Sequence, residues 1–268
     1  MSQTLITDAE FSQFQRFMFD TAGISLSPAK KALVAGRLAK RLHHTGMTRY
    51  GDYFKLISRS DASAEMQMAI DLLTTNETYF FREPKHFDLL RQLAGAAAGG
   101  SFRVWSAASS SGEEAYSIAM VLADRLGDRP WGVLGSDISQ RVLVRARLGH
   151  YPLSRARNIP PAYLKKFCLK GIGEQQGTLR VAASLRARVE FATVNLNEPL
   201  PAIGQFDVVF LRNVMIYFSN ETKRQVVARI AGALRPGGHL LIGHSESLHE
   251  ISGALEHVSP SIYRKPAN

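Results

Sequence analysis

The stretch Ser106-Ala107-Ala108-Ser109-Ser110-Ser111-Gly112-Glu113-Glu114 joins a short apolar run to a helix-like segment, and its residue types suit a ligand loop. Small side chains let the backbone approach a bound molecule closely. A dinucleotide would want the G-x-G-x-x-G fingerprint and helix amides free of nearby carboxylates. Only Gly112 is a glycine here, and Glu113 and Glu114 fill the first helical turn. That pattern favours a ligand with positive charge, and S-adenosylmethionine (SAM) carries both an ammonium and a sulfonium. The plain alternative is that the two glutamates only complement the helix dipole.

Three further points repeat the theme. Asp137 closes a second apolar run and suits ribose hydroxyls. Asn195 closes a third, with Leu196 beside it; the pair suits an adenine edge and an adenine face. Arg212 and Asn213 close a fourth. Taken singly, an Asp or Asn at a strand end is more commonly a turn or capping residue, but four consecutive strand ends of this kind point to a nucleoside-binding sheet. Thr74-Thr75-Asn76-Glu77-Thr78-Tyr79-Phe80-Phe81-Arg82 is dense in hydrogen-bonding groups and aromatics. It suits either a segment lying across a cleft or a capped linker anchored by its rings.

Positioning these residues requires a parallel sheet, because ligands of such sheets bind beyond the carboxyl ends of the strands. The pattern supplies one. Strands are expected at Phe102–Ser106, Trp131–Asp137, Val189–Asn195, Phe206–Leu211 and His239–Gly243, separated by helices at Glu113–Leu126, Ser139–Leu148 and Glu221–Leu234. A terminal hairpin is expected around Leu255–Val258 and Ser261–Tyr263. Residues 151–188 fit neither pattern and read as a small antiparallel insertion. Residues 1–73 read as helices only, with Phe11, Phe14, Phe17 and Met18, then Val34, Leu38 and Leu42, at helical spacing. Ser27 and Pro28 mark the start of a helix running from Ala29 to His43. The expected organisation is therefore a helical domain at 1–73, a linker and entry helix at 74–100, and an α/β, Rossmann-like domain at 101–268.

Composition bounds the rest. With 45% hydrophobic and 21% charged residues the chain is of ordinary globular type. No apolar run approaches the ~20 residues of a membrane span, and Met1–Glu10 lacks a signal-peptide pattern. Cys168 stands alone, so no intrachain disulfide forms, and neither a cysteine-based metal site nor any other metal is expected. A cytoplasmic monomer is the expectation. The net charge of +10 suits a polyanionic partner or plain solubility.

Taken together, Thr74-Thr75-Asn76-x-Thr78-x-Phe80-Phe81-Arg82, Trp105-Ser106-Ala107-Ala108-x-Ser110-x-Gly112-Glu113-Glu114-x-Tyr116-Ser117-Ile118-Ala119, Arg212-Asn213-Val214-Met215-Ile216-Tyr217-Phe218 and Gly243-His244-Ser245-Glu246 resemble the CheR family of chemotaxis receptor methyltransferases over nearly the whole chain. The resemblance implies a class I methyltransferase domain with a small antiparallel subdomain behind an all-α domain. It implies cofactor contacts from Asn76, Thr78 and Arg82, a glutamate of the Glu113-Glu114 pair (Glu114 preferred) at the methionine end, Asp137 at ribose, Asn195 and Leu196 at adenine, and Arg212 and Asn213 at the cleft edge. Arg82 and Tyr217 resemble the residues beside methyl transfer. The implied reaction esterifies receptor glutamates from SAM, leaving S-adenosylhomocysteine. The implied partner is a chemoreceptor's cytoplasmic helices, with its C-terminal peptide added as a strand to the subdomain in some members.

Given this resemblance, the basic arc of Lys30, Arg37, Lys40 and Arg41, spanning ~100° of one helix in a stretch free of acidic residues from Thr21 to Gly51, is expected to dock acidic receptor helices; a solvated face is the alternative. Three rivals fare worse. A base methyltransferase would show two prolines and an aromatic after Asn213, where Val214-Met215-Ile216 stands, and no nucleic-acid partner is expected. A dehydrogenase lacks its glycines. A non-catalytic SAM sensor would be expected to lose Arg82 or Tyr217, and both are present.

Overall fold

A computed structural model describes residues 5–97, 99–251 and 253–267. The expectations touching residues 1–4, 98, 252 and 268 lie outside them.

The N-terminal helices are α1 (Asp8–Ala22), α2 (Lys31–His44), α3 (Tyr50–Ile57) and α4 (Ser63–Leu73). Helix α1 begins with a capping box: Thr7 Oγ1 accepts from the Glu10 amide while the Glu10 carboxylate accepts from the Thr7 amide. Phe14, Met18, Leu38, Tyr53 and Ile57 are fully buried in the small core that results. Ser27 precedes α2 in extended backbone but makes no side-chain cap. Pro28–Lys30 form a 3-10 turn instead, and the α-helix starts only at Lys31.

Helix α5 (Pro84–Ala96) leads into the α/β unit, which comprises β1 (Phe102–Ser106), α6 (Glu113–Leu126), β2 (Trp131–Asp137) and α7 (Gln140–Leu148). The insertion follows, with β3 (His150–Pro152), α8 (Pro161–Phe167), β4 (Cys168–Lys170), β5 (Thr178–Val181) and α9 (Ala183–Arg186). The chain then completes the main sheet with β6 (Val189–Thr193), β7 (Phe206–Leu211), α10 (Asn220–Ala233), β8 (Leu234–Ile242), β9 (Glu256–Ser259) and β10 (Ile262–Arg264). The seven-stranded sheet has the order β6-β2-β1-β7-β8-β10-β9, and β3-β5-β4 form a separate antiparallel sheet. Strands β6, β2, β1, β7 and β8 run parallel; β10 pairs antiparallel with β8, and β9 pairs antiparallel with β10 at the sheet edge. The chain proceeds outward from β1 through β2 to β6, then returns to β7 on β1's other side. The order therefore reverses between β1 and β7, where such sheets bind ligands.

Among the parallel strands, the end of one and the start of another differ from expectation by more than one residue. Strand β6 stops at Thr193, leaving Asn195 in the following loop. Strand β8 begins at Leu234, so the Pro236-Gly237-Gly238 turn is a bulge within it. The register against β7 jumps there, from Phe206 opposite Leu234 to Val208 opposite His239.

The helical domain is fastened to both sides of the switch point. The Arg141 side chain donates to the Asp71 carbonyl (2.7 Å), and Gln67 donates to the Ile138 carbonyl (3.0 Å). On the other side the Ser25 amide donates to the Tyr217 carbonyl (2.8 Å), and Asn195 Nδ2 donates to the Thr21 carbonyl (2.6 Å). The helices thus roof the carboxyl edge of the sheet.

Candidate active site

Between roof and sheet lies a cleft of about 950 Å³, counting space open to solvent, and Asn76, Thr78, Arg82, Glu114, Asp137, Asn195, Leu196, Arg212, Asn213 and Tyr217 all line it. The floor is the β1–α6 loop. Gly112 sits at φ +96°, and a Cβ there would lie 2.9 Å from the Ala146 Cβ, so a larger residue would push the loop off α7. Ser110 Oγ donates to the Asn76 carbonyl (2.9 Å), tying floor to linker.

The adjacent glutamates separate cleanly. Glu114 lines the cleft with 13% of its side chain exposed; it accepts from Ser106 Oγ (2.7 Å) and lies 3.5 Å from Arg212 Nε. Burial raises its pKa, against the pull of Arg212. Glu113, expected among the cofactor contacts, does not line the cleft. Its side chain is wholly buried away from the cleft, held by Ser111 Oγ (2.7 Å) and by the Arg155 guanidinium from the insertion. Arg155 also donates to the Thr78 carbonyl (3.2 Å).

Asp137 accepts from the Ser110 and Ser139 amides, each at 2.9 Å. Burial nevertheless pushes its pKa up to about 6, because two amide bonds do not replace full hydration. Asn195 reaches the cleft with its carboxamide largely engaged. Nδ2 donates to Thr21 and Glu198, and Oδ1 accepts from the Asn197 amide, leaving one lone pair of Oδ1 for a ligand. Arg212 is buried; Nη2 donates to the Arg82 carbonyl, while Nε and Nη1 have no hydrogen-bond partner among the described residues. Glu83 lies 3.5 Å from Arg212 Nη2. Burial works to raise the Glu83 pKa, but Arg212, the His244 amide and Asn213 together hold it below its usual value.

The loop after β7 is shaped by Glu246, whose carboxylate accepts from the amides of Asn213 (2.8 Å), Met215 (2.8 Å) and Gly243 (2.7 Å). Asn213 adopts φ +58°, a conformation Asn tolerates better than most residues. At the mouth, Arg82 makes one long contact to the Glu77 carbonyl (3.5 Å) and lies 5.5 Å from the Tyr79 ring centre. Lys30 Nζ lies 4.9 Å from the Tyr217 ring centre.

The four cations of the basic arc differ in what they meet within the chain. Arg37 donates to the Leu73 and Thr74 carbonyls (2.9 and 3.1 Å) and to Thr75 Oγ1 (3.3 Å), so it braces the linker. Arg41 forks onto Glu65, which also accepts from Tyr53. Lys30 lines the cleft, and only Lys40 projects freely into solvent. The four do not form one exposed docking face, because partners far away in sequence claim two of them.

Residues 76–263 match the family model for the CheR methyltransferase SAM-binding domain, and residues 9–74 match that for the CheR methyltransferase all-alpha domain. The chain belongs to the CheR methyltransferase family. It is 42% identical over 249 residues to a chemotaxis protein methyltransferase of Escherichia coli (strain K12), covering 92% of this chain and 87% of that one. It is 40% identical over 262 residues to chemotaxis protein methyltransferase 2 of Pseudomonas aeruginosa PAO1, covering 96% and 93%. The chain is thus a SAM-dependent methyltransferase of the CheR family with the expected fold. The cleft fits the cofactor: Arg212 has two guanidinium nitrogens without hydrogen-bond partners among the described residues, and Glu114 a poorly hydrated carboxylate, complementary to the carboxylate and ammonium of a methionyl group. Glu83 and Glu246 were not assigned roles from the sequence. They act on backbone amides and on Arg212; the Gly243-His244-Ser245-Glu246 motif signals Glu246, and no motif signals Glu83.

Proposed function

We propose that this CheR family enzyme methylates glutamate side chains on the cytoplasmic helices of a chemoreceptor, in the cytoplasm and as a single copy. The observation that carries the reading is the cleft mouth. Arg82 stands there with one weak hydrogen bond and Lys30 without an acidic partner among the described residues, so an incoming carboxylate meets cationic groups still able to bind it. The names of the relatives place the activity in chemotaxis. Among the described residues no helix is long and apolar enough to cross a membrane.

SAM supplies an electrophilic methyl group. In this reading Glu114 accepts hydrogen bonds from its ammonium, Arg212 donates to its carboxylate, Asp137 accepts from the ribose, and Asn195 and Leu196 flank adenine, with Asn76, Thr78 and Asn213 closing the edges. A glutamate with an ordinary pKa of ~4.3 is ionised at neutral pH, so no general base is needed. Its oxygen forms the new C–O bond as the C–S bond breaks, leaving S-adenosylhomocysteine. Arg82 orients the carboxylate loosely, since a tight pair would stabilise the ground state. Tyr217 fixes the geometry of the mouth.

Residues 1–73 serve docking in this scheme, with Lys40 and Lys30 contributing charge. Residues 74–100 carry cofactor contacts, and 101–268 carry the rest of the site. The edge strand β4 and the turn after it expose Leu169 and Ile172, the latter 82% accessible, which suits addition of a receptor C-terminal peptide as a strand. The test is transfer from labelled SAM to a purified receptor cytoplasmic fragment, read as alkali-labile methanol. Label that reaches the receptor but is not released by alkali would overturn the ester.

A further inference from the structure

The side chain of His244, in the Gly243–Glu246 segment, has no task in the chemistry above, yet it meets the first turn of α5 directly behind Arg212. We propose that Glu83, His86 and His244 form a binding site for a zinc-class divalent metal ion, coupled to the cofactor cleft through Arg212.

One ligand atom from each of the three residues lies within 4.8 Å of the other two. Glu83 Oε2 is 3.5 Å from His86 Nδ1 and 3.8 Å from His244 Nε2. Tetrahedral zinc, with bonds of ~2.0–2.1 Å, holds its ligands ~3.3 Å apart. Small side-chain movements bring Glu83 to that spacing with each histidine, and the His244 ring, 51% exposed, has the freedom to close on His86. A second, independent observation points to a ligand. His86 is only 1% exposed, and both its ring nitrogens, together with Glu83 Oε2, lack hydrogen-bond partners among the described residues. Buried polar atoms are nearly always paired, and lone-pair atoms converging from three side chains make a seat for a Lewis acid. Two imidazoles and one carboxylate, with a solvent side at His244, match the donor set that holds zinc with a fourth position for water.

Arg212 is the neighbour that opposes an ion, since its Nη2 lies 3.5 Å from Glu83 Oε2. Arg212 keeps Glu114 and the Arg82 carbonyl when Glu83 turns to the metal, so the exchange leaves it paired but differently held. Asn213 Nδ2, 3.4 Å from Glu83 Oε1, is disturbed as well. Both residues line the cleft. Metal and cofactor therefore weaken each other, and by linkage each must do so by the same factor.

The test titrates the full chain with zinc chloride against a chromophoric chelator, with S-adenosylhomocysteine binding measured by calorimetry. The expected result is one zinc per chain, weakened by at least about tenfold in His244→Ala, and weaker S-adenosylhomocysteine binding to the zinc-loaded wild type than to the zinc-free protein. His244→Ala changes a half-exposed side chain and is expected to melt within about 2 °C of wild type, which separates lost ligation from misfolding. Zinc uptake left unchanged by His244→Ala would assign it to the exposed His43–His44 pair and overturn the site. So would absence of uptake by the wild type. Equal S-adenosylhomocysteine affinity with and without zinc would overturn the coupling. No arm needs a receptor, so failure here is distinct from failure of the proposed methylation.

Discussion

Polar side chains at the carboxyl edge of the sheet keep bonding capacity for a ligand, whereas the basic side chains of α2 largely give theirs to the protein itself. Arg212 retains two guanidinium nitrogens without hydrogen-bond partners among the described residues, and Asp137 carries a pKa pushed up to about 6 by burial. Arg37 and Arg41, by contrast, close on the Leu73 and Thr74 carbonyls and on Glu65. The difference follows from architecture. A strand end at a switch point faces a gap that no neighbouring element fills. A residue on a packed helix meets whatever the next helices present, and long cations find carbonyls and carboxylates there. The comparison can be tested from either side.

The largest effect is expected at the cleft mouth. Arg82→Ala should lower kcat by about 10²-fold, the scale of a misplaced nucleophile. Stability should hardly change, because Arg82 makes only one long intramolecular bond. Turnover near wild type at saturating SAM would take Arg82 out of the mechanism.

Asp137 comes next. Ribose hydroxyls donate to its ionised form, so binding favours loss of the proton that burial retains up to about pH 6. Affinity for S-adenosylhomocysteine should therefore rise with pH up to about 6 and level off above it. Asp137→Asn should abolish that dependence and weaken binding by about tenfold or more, the value of a charged hydrogen bond. Calorimetry across pH checks both, and a flat wild-type profile would count against the ribose role.

Arg37 and Arg41 should behave as braces, with smaller effects. Arg37→Ala frees the Leu73 and Thr74 carbonyls at the start of the linker, so KM for SAM should rise several-fold while KM for receptor stays put. Arg41→Glu places two carboxylates together in a partly buried position and should cost about 2 kcal/mol of stability, seen in denaturant melts. A selective rise in receptor KM from either variant would restore α2 as a docking face.

Which features are legible in the sequence follows the same division. Strands β1, β2 and β7 and helix α6 fall on their expected boundaries, because apolar runs bounded by turn residues and Gly112 mark them. The β8 bulge is hidden, since Pro236-Gly237-Gly238 reads as a turn until pairing with β7 holds its flanks in one strand. Glu113 and Glu114 are indistinguishable in the sequence; Arg155, 42 residues onward, claims one and leaves the other to the cleft. The roles of Glu83 and Glu246 are not legible because their partners are backbone amides and a guanidinium brought together only by the fold.

The smallest expected effect sharpens the comparison most, because Lys40 is the α2 cation in the arc without an internal partner. If docking uses the helical domain, Lys40→Glu should raise receptor KM by about two- to threefold at low salt, and the effect should fade as the Debye length shrinks to ~8 Å at physiological ionic strength. Melting temperature and S-adenosylhomocysteine affinity should stay at wild-type values, since Lys40 touches neither core nor cleft. An equal rise at high and low salt would mean a direct, desolvated contact in place of steering. No change at either salt would move docking away from α2 altogether and leave Lys30, at the cleft mouth, as the only cation of the arc that still meets the substrate.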